Sequence, residues 1–125
     1  MTVEKKVLVI DDDQQFRNYM VELLTEHGYK VCTAENGVLG LEQFYSCQPD
    51  IIITDIVMPE KEGVEVILTI RAQNPEIPLI AVSGGNLGNA ESYLNMARKL
   101  GANATLAKPF SLSNLLDTVD RLLVA

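Results

Sequence analysis

The sequence is short of positive charge: ten lysines and arginines face seventeen aspartates and glutamates, for a formal net charge of -7. Contact with a phosphate backbone needs a basic patch, and none is visible, so direct nucleic-acid binding is excluded. Cysteine is scarce as well. Cys32 and Cys47 are the only two, with neither a CxxC spacing nor a histidine cluster around them to hold a metal. Both are expected as reduced thiols, in the core or near the surface of a cytoplasmic protein. The lone histidine, His27, is read as a helix-end residue rather than a phosphate carrier. No apolar run reaches the roughly 18 residues a membrane span needs. The opening MTVEKKVLVI is too short and too quickly charged for a secretory signal. There is no repeat, linker or biased tract. What is present is ordinary: 125 residues, 47% apolar and 22% charged, enough to bury a core in one domain without disulfides or metals as staples.

Apolar runs of strand length lie at residues 7–10, 31–34, 51–54, 79–82 and 104–107. Between them the apolar spacing is helical. Phe16, Tyr19, Met20, Leu23 and Leu24 fall at i, i+3, i+4, i+7 and i+8, and Gly28 offers a left-handed stop. Val38, Leu41, Phe44 and Tyr45 mark a second helix. A third is expected over about residues 63–73 and a fourth over about 90–100. Ser111 is placed to cap the last, whose apolar positions are Leu112, Leu115, Leu116, Val119, Leu122 and Leu123. The strands are apolar without alternation, as when helices cover both faces of a parallel sheet. Five βα units in a row then make a three-layer α/β domain.

One stretch resists a purely structural account. VLVI is followed at once by Asp11, Asp12 and Asp13, and carboxylates so close repel one another and resist losing water. In an open parallel sheet, ligands gather at the carboxyl ends of the strands, and right-handed crossovers bring those ends to one edge. Asp11 and Asp12 follow the first strand, Asp55 ends the third, Ser83 the fourth and Lys108 the fifth. Three carboxylates, a hydroxyl and an ammonium at one edge suit Mg2+, or Mn2+ in its place, with its preference for oxygen ligands. Asp55 could then attack a phosphoryl group, with the charge shared by metal, Lys108 and Ser83. Asp13 is expected instead to begin the first helix at its positive end, and Glu60, Glu62 and Glu65 to form a solvated acidic rim.

VLVIDDD, IIITDIVMPEKEG, LIAVSG and LAKPF, in that order and spacing, resemble the receiver domain of two-component response regulators. The likeness runs from Lys6 to Leu123. It implies a flavodoxin-like fold, a five-stranded parallel sheet of order 2-1-3-4-5 between two helical layers. It further implies that Asp55 is the phosphoacceptor, Asp12 a direct Mg2+ ligand, Asp11 a ligand through water, and the backbone carbonyl of Val57 another ligand. Ser83 matches the switch hydroxyl and Lys108 the lysine that pairs with the phosphoryl group, with a cis bond to Pro109. Met58, Pro59 and Gly63 match the loop after the acceptor. A sensor histidine kinase or phosphotransfer protein would be the donor and a downstream protein the target. The chain would be a signalling protein that assists its own phosphorylation rather than an enzyme, with residues 1–125 as one receiver and no effector domain.

At one switch position the pattern breaks. Three residues before the lysine the family usually carries an aromatic ring that moves on phosphorylation; here the residue is Thr105. Transmission would fall to Ser83 and to the loop GGNLGN, with Thr105 and its strand little changed. Two other readings stand beside this one. A constitutive docking module would keep the site and signal by binding alone. A phosphatase of the aspartyl-phosphate kind would want an acid two residues beyond Asp55, where Val57 stands.

Overall fold

A computed structural model describes residues 4–56, 62–84 and 90–124, with side chains left out of account at residues 62 and 90–93. The strands are β1 (Lys6–Ile10), β2 (Lys30–Ala34), β3 (Ile51–Asp55), β4 (Leu79–Ser83) and β5 (Ala104–Ala107), alternating with helices α1 (Gln14–Glu26), α2 (Gly37–Cys47), α3 (Glu62–Gln73), α4 (Ala90–Leu100) and α5 (Leu112–Val124). All pairings are parallel, and the strand order is β2-β1-β3-β4-β5, the flavodoxin-like arrangement. Among the described residues no helix is long and apolar enough to cross a membrane.

The uninterrupted apolar strands are explained by their two covered faces. Val7, Val9, Ile51, Ile53, Ile80 and Val82 pack with Met20 and Leu24 of α1 and Leu115 and Val119 of α5. Leu8, Ile10, Ile52, Leu79 and Ala81 point the other way, onto Val66, Ile67 and Ile70 of α3 and Ala97 of α4. Both layers exclude water almost completely, which supplies most of the driving force for the fold.

Helix ends follow the local chemistry. Asp13 caps α1, its carboxylate accepting from the amides of Gln15 and Phe16 at 2.9 and 3.3 Å. His27 ends that helix and Gly28 follows at φ 89°. The Ser111 hydroxyl accepts from the Asn114 amide at 3.1 Å, opening α5. Gly101 closes α4 at φ 122°, and a Cβ there would lie 2.9 Å from Nε of Arg71. That guanidinium donates to the carbonyls of Gly101 and Asn74 and to the side chain of Asn103, and burial lowers its pKa.

The cysteines correct an expectation. Cys32 and Cys47 are joined in a disulfide with a Cα separation of 6.8 Å. Sequence spacing could not show this, because the partners meet only through the crossover. After β2 the chain turns back along α2, whose last residue, Cys47, returns over the strand that carries Cys32. The separation lies at the upper end of what a disulfide can span.

Across the other layer, the Tyr29 hydroxyl donates to the Asp120 carboxylate of α5. Partial burial first, and then the hydrogen bond and charge of Asp120, push the Tyr29 phenol up to about 12. A raised phenol pKa means stability that is fully present below the ordinary value near 10 and lost as pH rises through about 12. Absorbance at 295 nm against pH, with Tyr29→Phe as the difference reference, should place this phenol last, and Asp120→Asn should bring it down. An unchanged curve in Asp120→Asn would contradict the assignment.

Candidate functional site

The strand ends converge as the topology requires. One carboxylate oxygen from each of Asp11, Asp12 and Asp55 lies within 4.8 Å of the others. Asp11 and Asp55 are buried, at 1% and 6% exposure, while Asp12 is open to solvent. Like charges at that spacing need a positive partner. Lys108 supplies one, its ammonium 2.7 Å from Oδ2 of Asp11 and 3.8 Å from Oδ2 of Asp55.

Backbone contacts hold these groups in place. Asp11 Oδ1 accepts from the Asp13 amide at 2.9 Å, and the Asp11 carbonyl accepts from the Arg17 guanidinium at 2.7 Å. The Asp11 amide donates to Ala34 and the Ile56 amide to Val82, tying the loops after β1 and β3 to neighbouring strands. The Lys108 amide donates to the Ser83 carbonyl at 2.7 Å, and the Lys108–Pro109 bond is cis. Ser83 is fully buried, and its Oγ has no hydrogen-bond partner among the described residues. A buried hydroxyl without a partner is costly in a resting protein. It becomes useful if an acceptor oxygen arrives beside it.

Gly63 owes its identity to this corner. A Cβ there would lie 2.5 Å from the Ile56 carbonyl oxygen and 2.6 Å from that of Asp55, so the start of α3 can approach the acceptor strand only without a side chain. Gly84, by contrast, borders open space. Val57, Met58, Pro59, Glu60 and the loop residues 85–89 lie outside the described residues, as does the side chain of Glu62. Glu65, of the expected rim, is exposed.

Three contacts were not anticipated. Phe16, which the helical spacing marks only as an apolar position, has its ring centroid 3.9 Å from the Lys108 ammonium. Arg17 grips the turn that presents the acids. Thr105, which has no ring to swing, accepts from the Arg98 guanidinium of α4 at 2.6 Å, while the same guanidinium donates to Asn95 at 2.7 Å. Only Arg98's place in the last turn of its helix hinted at that bond.

A parallel sheet with acids, a hydroxyl and a lysine at its carboxyl edge matches a known family along most of its length. The sequence profile of the response regulator receiver domain matches residues 7–120, and the chain belongs to that family. It is 32% identical over 121 residues to the chemotaxis protein CheY of Halobacterium salinarum, covering 97% of this chain and 98% of CheY. It is 32% identical to the transcriptional regulatory protein CusR of Escherichia coli, covering 94% of this chain but only 51% of CusR. The chain thus spans about half of such a transcriptional regulator. Among solved structures, a response regulator receiver domain protein from Clostridium thermocellum superposes with a TM-score of 0.86 at 30% identity, covering 96% of this chain and 94% of that one. The protein is a receiver domain of a two-component signalling system.

The charge balance of the site can be tested without any ligand. At separations of at most 4.8 Å, a like pair in surroundings between water and a protein surface repels by on the order of 1 kcal/mol. Asp12→Asn should therefore raise the metal-free Tm by a few degrees, as read by calorimetry at low ionic strength. A lower Tm in that variant would mean that the carboxylates do not strain one another.

Proposed function

We propose that the chain is the phospho-accepting element of a two-component pathway, with Asp55 as acceptor and Mg2+ as the required ion. The observation that supports this most strongly is the double reach of Lys108, one ammonium set between Asp11 and Asp55. The ion fits the residues: three carboxylates within 4.8 Å, one open to solvent, give the all-oxygen donor set that Mg2+ takes. Asp11, Asp12 and Asp55 would hold it, Asp11 through water, and the Val57 carbonyl completes the protein's share in this reading. Bound there, the ion would neutralise charge on the phosphoryl oxygens and on the acids.

This chain's own groups do the rest. An Asp55 carboxylate oxygen attacks phosphorus on a phosphohistidine donor; the new P–O bond forms as the P–N bond breaks, and the electron pair leaves with the imidazole nitrogen. Lys108 turns from Asp11 toward the arriving phosphoryl group. The Ser83 hydroxyl, buried and lacking a partner among the described residues, donates to a phosphoryl oxygen. From Ser83 the change passes to α4, and the Arg98–Thr105 hydrogen bond, which tethers that helix to β5, stands at the switch position in place of a moving ring while the strand itself changes little. The chain assists its own phosphorylation and dephosphorylation and is not an enzyme with a separate substrate.

The donor is a sensor histidine kinase or phosphotransfer protein, and output passes to a downstream partner. We place the chain in the cytoplasm beside its kinase. The intact set of acids, hydroxyl and lysine speaks against a module that signals by docking alone.

Acetyl phosphate should label the protein only with a divalent ion present, the label should be released by hydroxylamine as an acyl phosphate, and Asp55→Asn should carry none. Label at the wild-type level in Asp55→Asn would point to another acceptor.

A further inference from the structure

Lys108 has a third neighbour besides its two carboxylates. Its ammonium lies over the face of Phe16, 3.9 Å from the ring centroid, well within the range of a cation–π contact. The ring is itself fixed from two sides. The Asp13 cap accepts from the Phe16 amide, which sets the first turn of α1. Phe110, two residues beyond Lys108, meets the ring edge-on, with centroids 6.0 Å apart and planes at 86°, a favoured aromatic geometry. Phe16 therefore touches the lysine directly and touches the segment that carries it.

The carboxylates alone do not aim this ammonium at the acceptor. The shorter contact is to Asp11, at 2.7 Å, and the longer to Asp55, at 3.8 Å. Once Asp11 turns its charge to a bound cation, its pull on the lysine weakens. The aromatic face carries no net charge to be neutralised, so its attraction persists. We propose that Phe16 is a positioning residue for phosphoryl transfer, holding the Lys108 ammonium beside Asp55 after Asp11 is engaged elsewhere. This rests on the reading of Asp55 as acceptor.

The contact has a spectroscopic signature independent of any chemistry. In protein carrying 13C at the lysine ε position, the Lys108 ε-methylene protons should be shifted upfield by the ring current. Phe16→Leu should return them to the values of an unstacked lysine, and Phe16→Tyr should keep the shift. In parallel, Phe16→Leu should be labelled by acetyl phosphate about 5-fold more slowly, on the scale of one cation–π contact. Phe16→Tyr should restore the rate, with Mg2+ affinity unchanged in both variants. An unshifted Lys108 signal in the wild type would overturn the proposal, as would a wild-type labelling rate in Phe16→Leu once the shift is gone. If the wild type takes no label while the ring-current shift is present, the acceptor reading has failed and the positioning role falls with it, although the contact itself stands.

Discussion

Three carboxylates within 4.8 Å of one another, two of them buried, set the constraint on which the rest of this structure turns. Removing such groups from water costs free energy, and crowding them costs more. Among the described residues one ammonium faces these three carboxylates, a crowding that a divalent cation would relieve. The same crowding makes the site responsive, because a group that adds charge there must rearrange the groups already present.

The fold carries that constraint by being rigid around it. Strands buried on both faces bring the five segment ends to one edge, and packing of that density transmits small displacements rather than absorbing them. Local contacts then set each group: Arg17 and the Asp13 amide hold Asp11, the bare Cα of Gly63 lets α3 close against Asp55, and Phe16 backs Lys108. Ser83 and Thr105 sit on the neighbouring strands β4 and β5, and Arg98 links the latter to α4. The Arg98–Thr105 hydrogen bond thus ties α4 to the strand beside the one that carries Ser83.

Much of this was legible in the residues. Apolar runs of strand length separated by helical spacing marked all ten elements, with bounds within a residue for the five strands, α3 and α4, because both covered faces leave strong signals. The clustering of Asp11, Asp12, Asp55, Ser83 and Lys108 followed from parallel strands and right-handed crossovers, which do not depend on side-chain detail. What stayed hidden were contacts fixed by side-chain direction across the fold. Phe16 reads as one more apolar residue on α1 until Lys108 is placed above it. Thr105 reads as the loss of a ring, whereas its hydroxyl is the acceptor for Arg98. Cys32 and Cys47, fifteen residues apart, give no sign of pairing until α2 folds back on β2.

The most direct test of the central claim is where a divalent cation goes. Anomalous diffraction from crystals of the protein soaked in Mn2+ should show one strong peak among the carboxylates of Asp11, Asp12 and Asp55, and none in crystals of Asp12→Ala treated identically. A peak elsewhere, or an empty acidic corner at saturating Mn2+, would contradict the view that these carboxylates are held together to receive a metal.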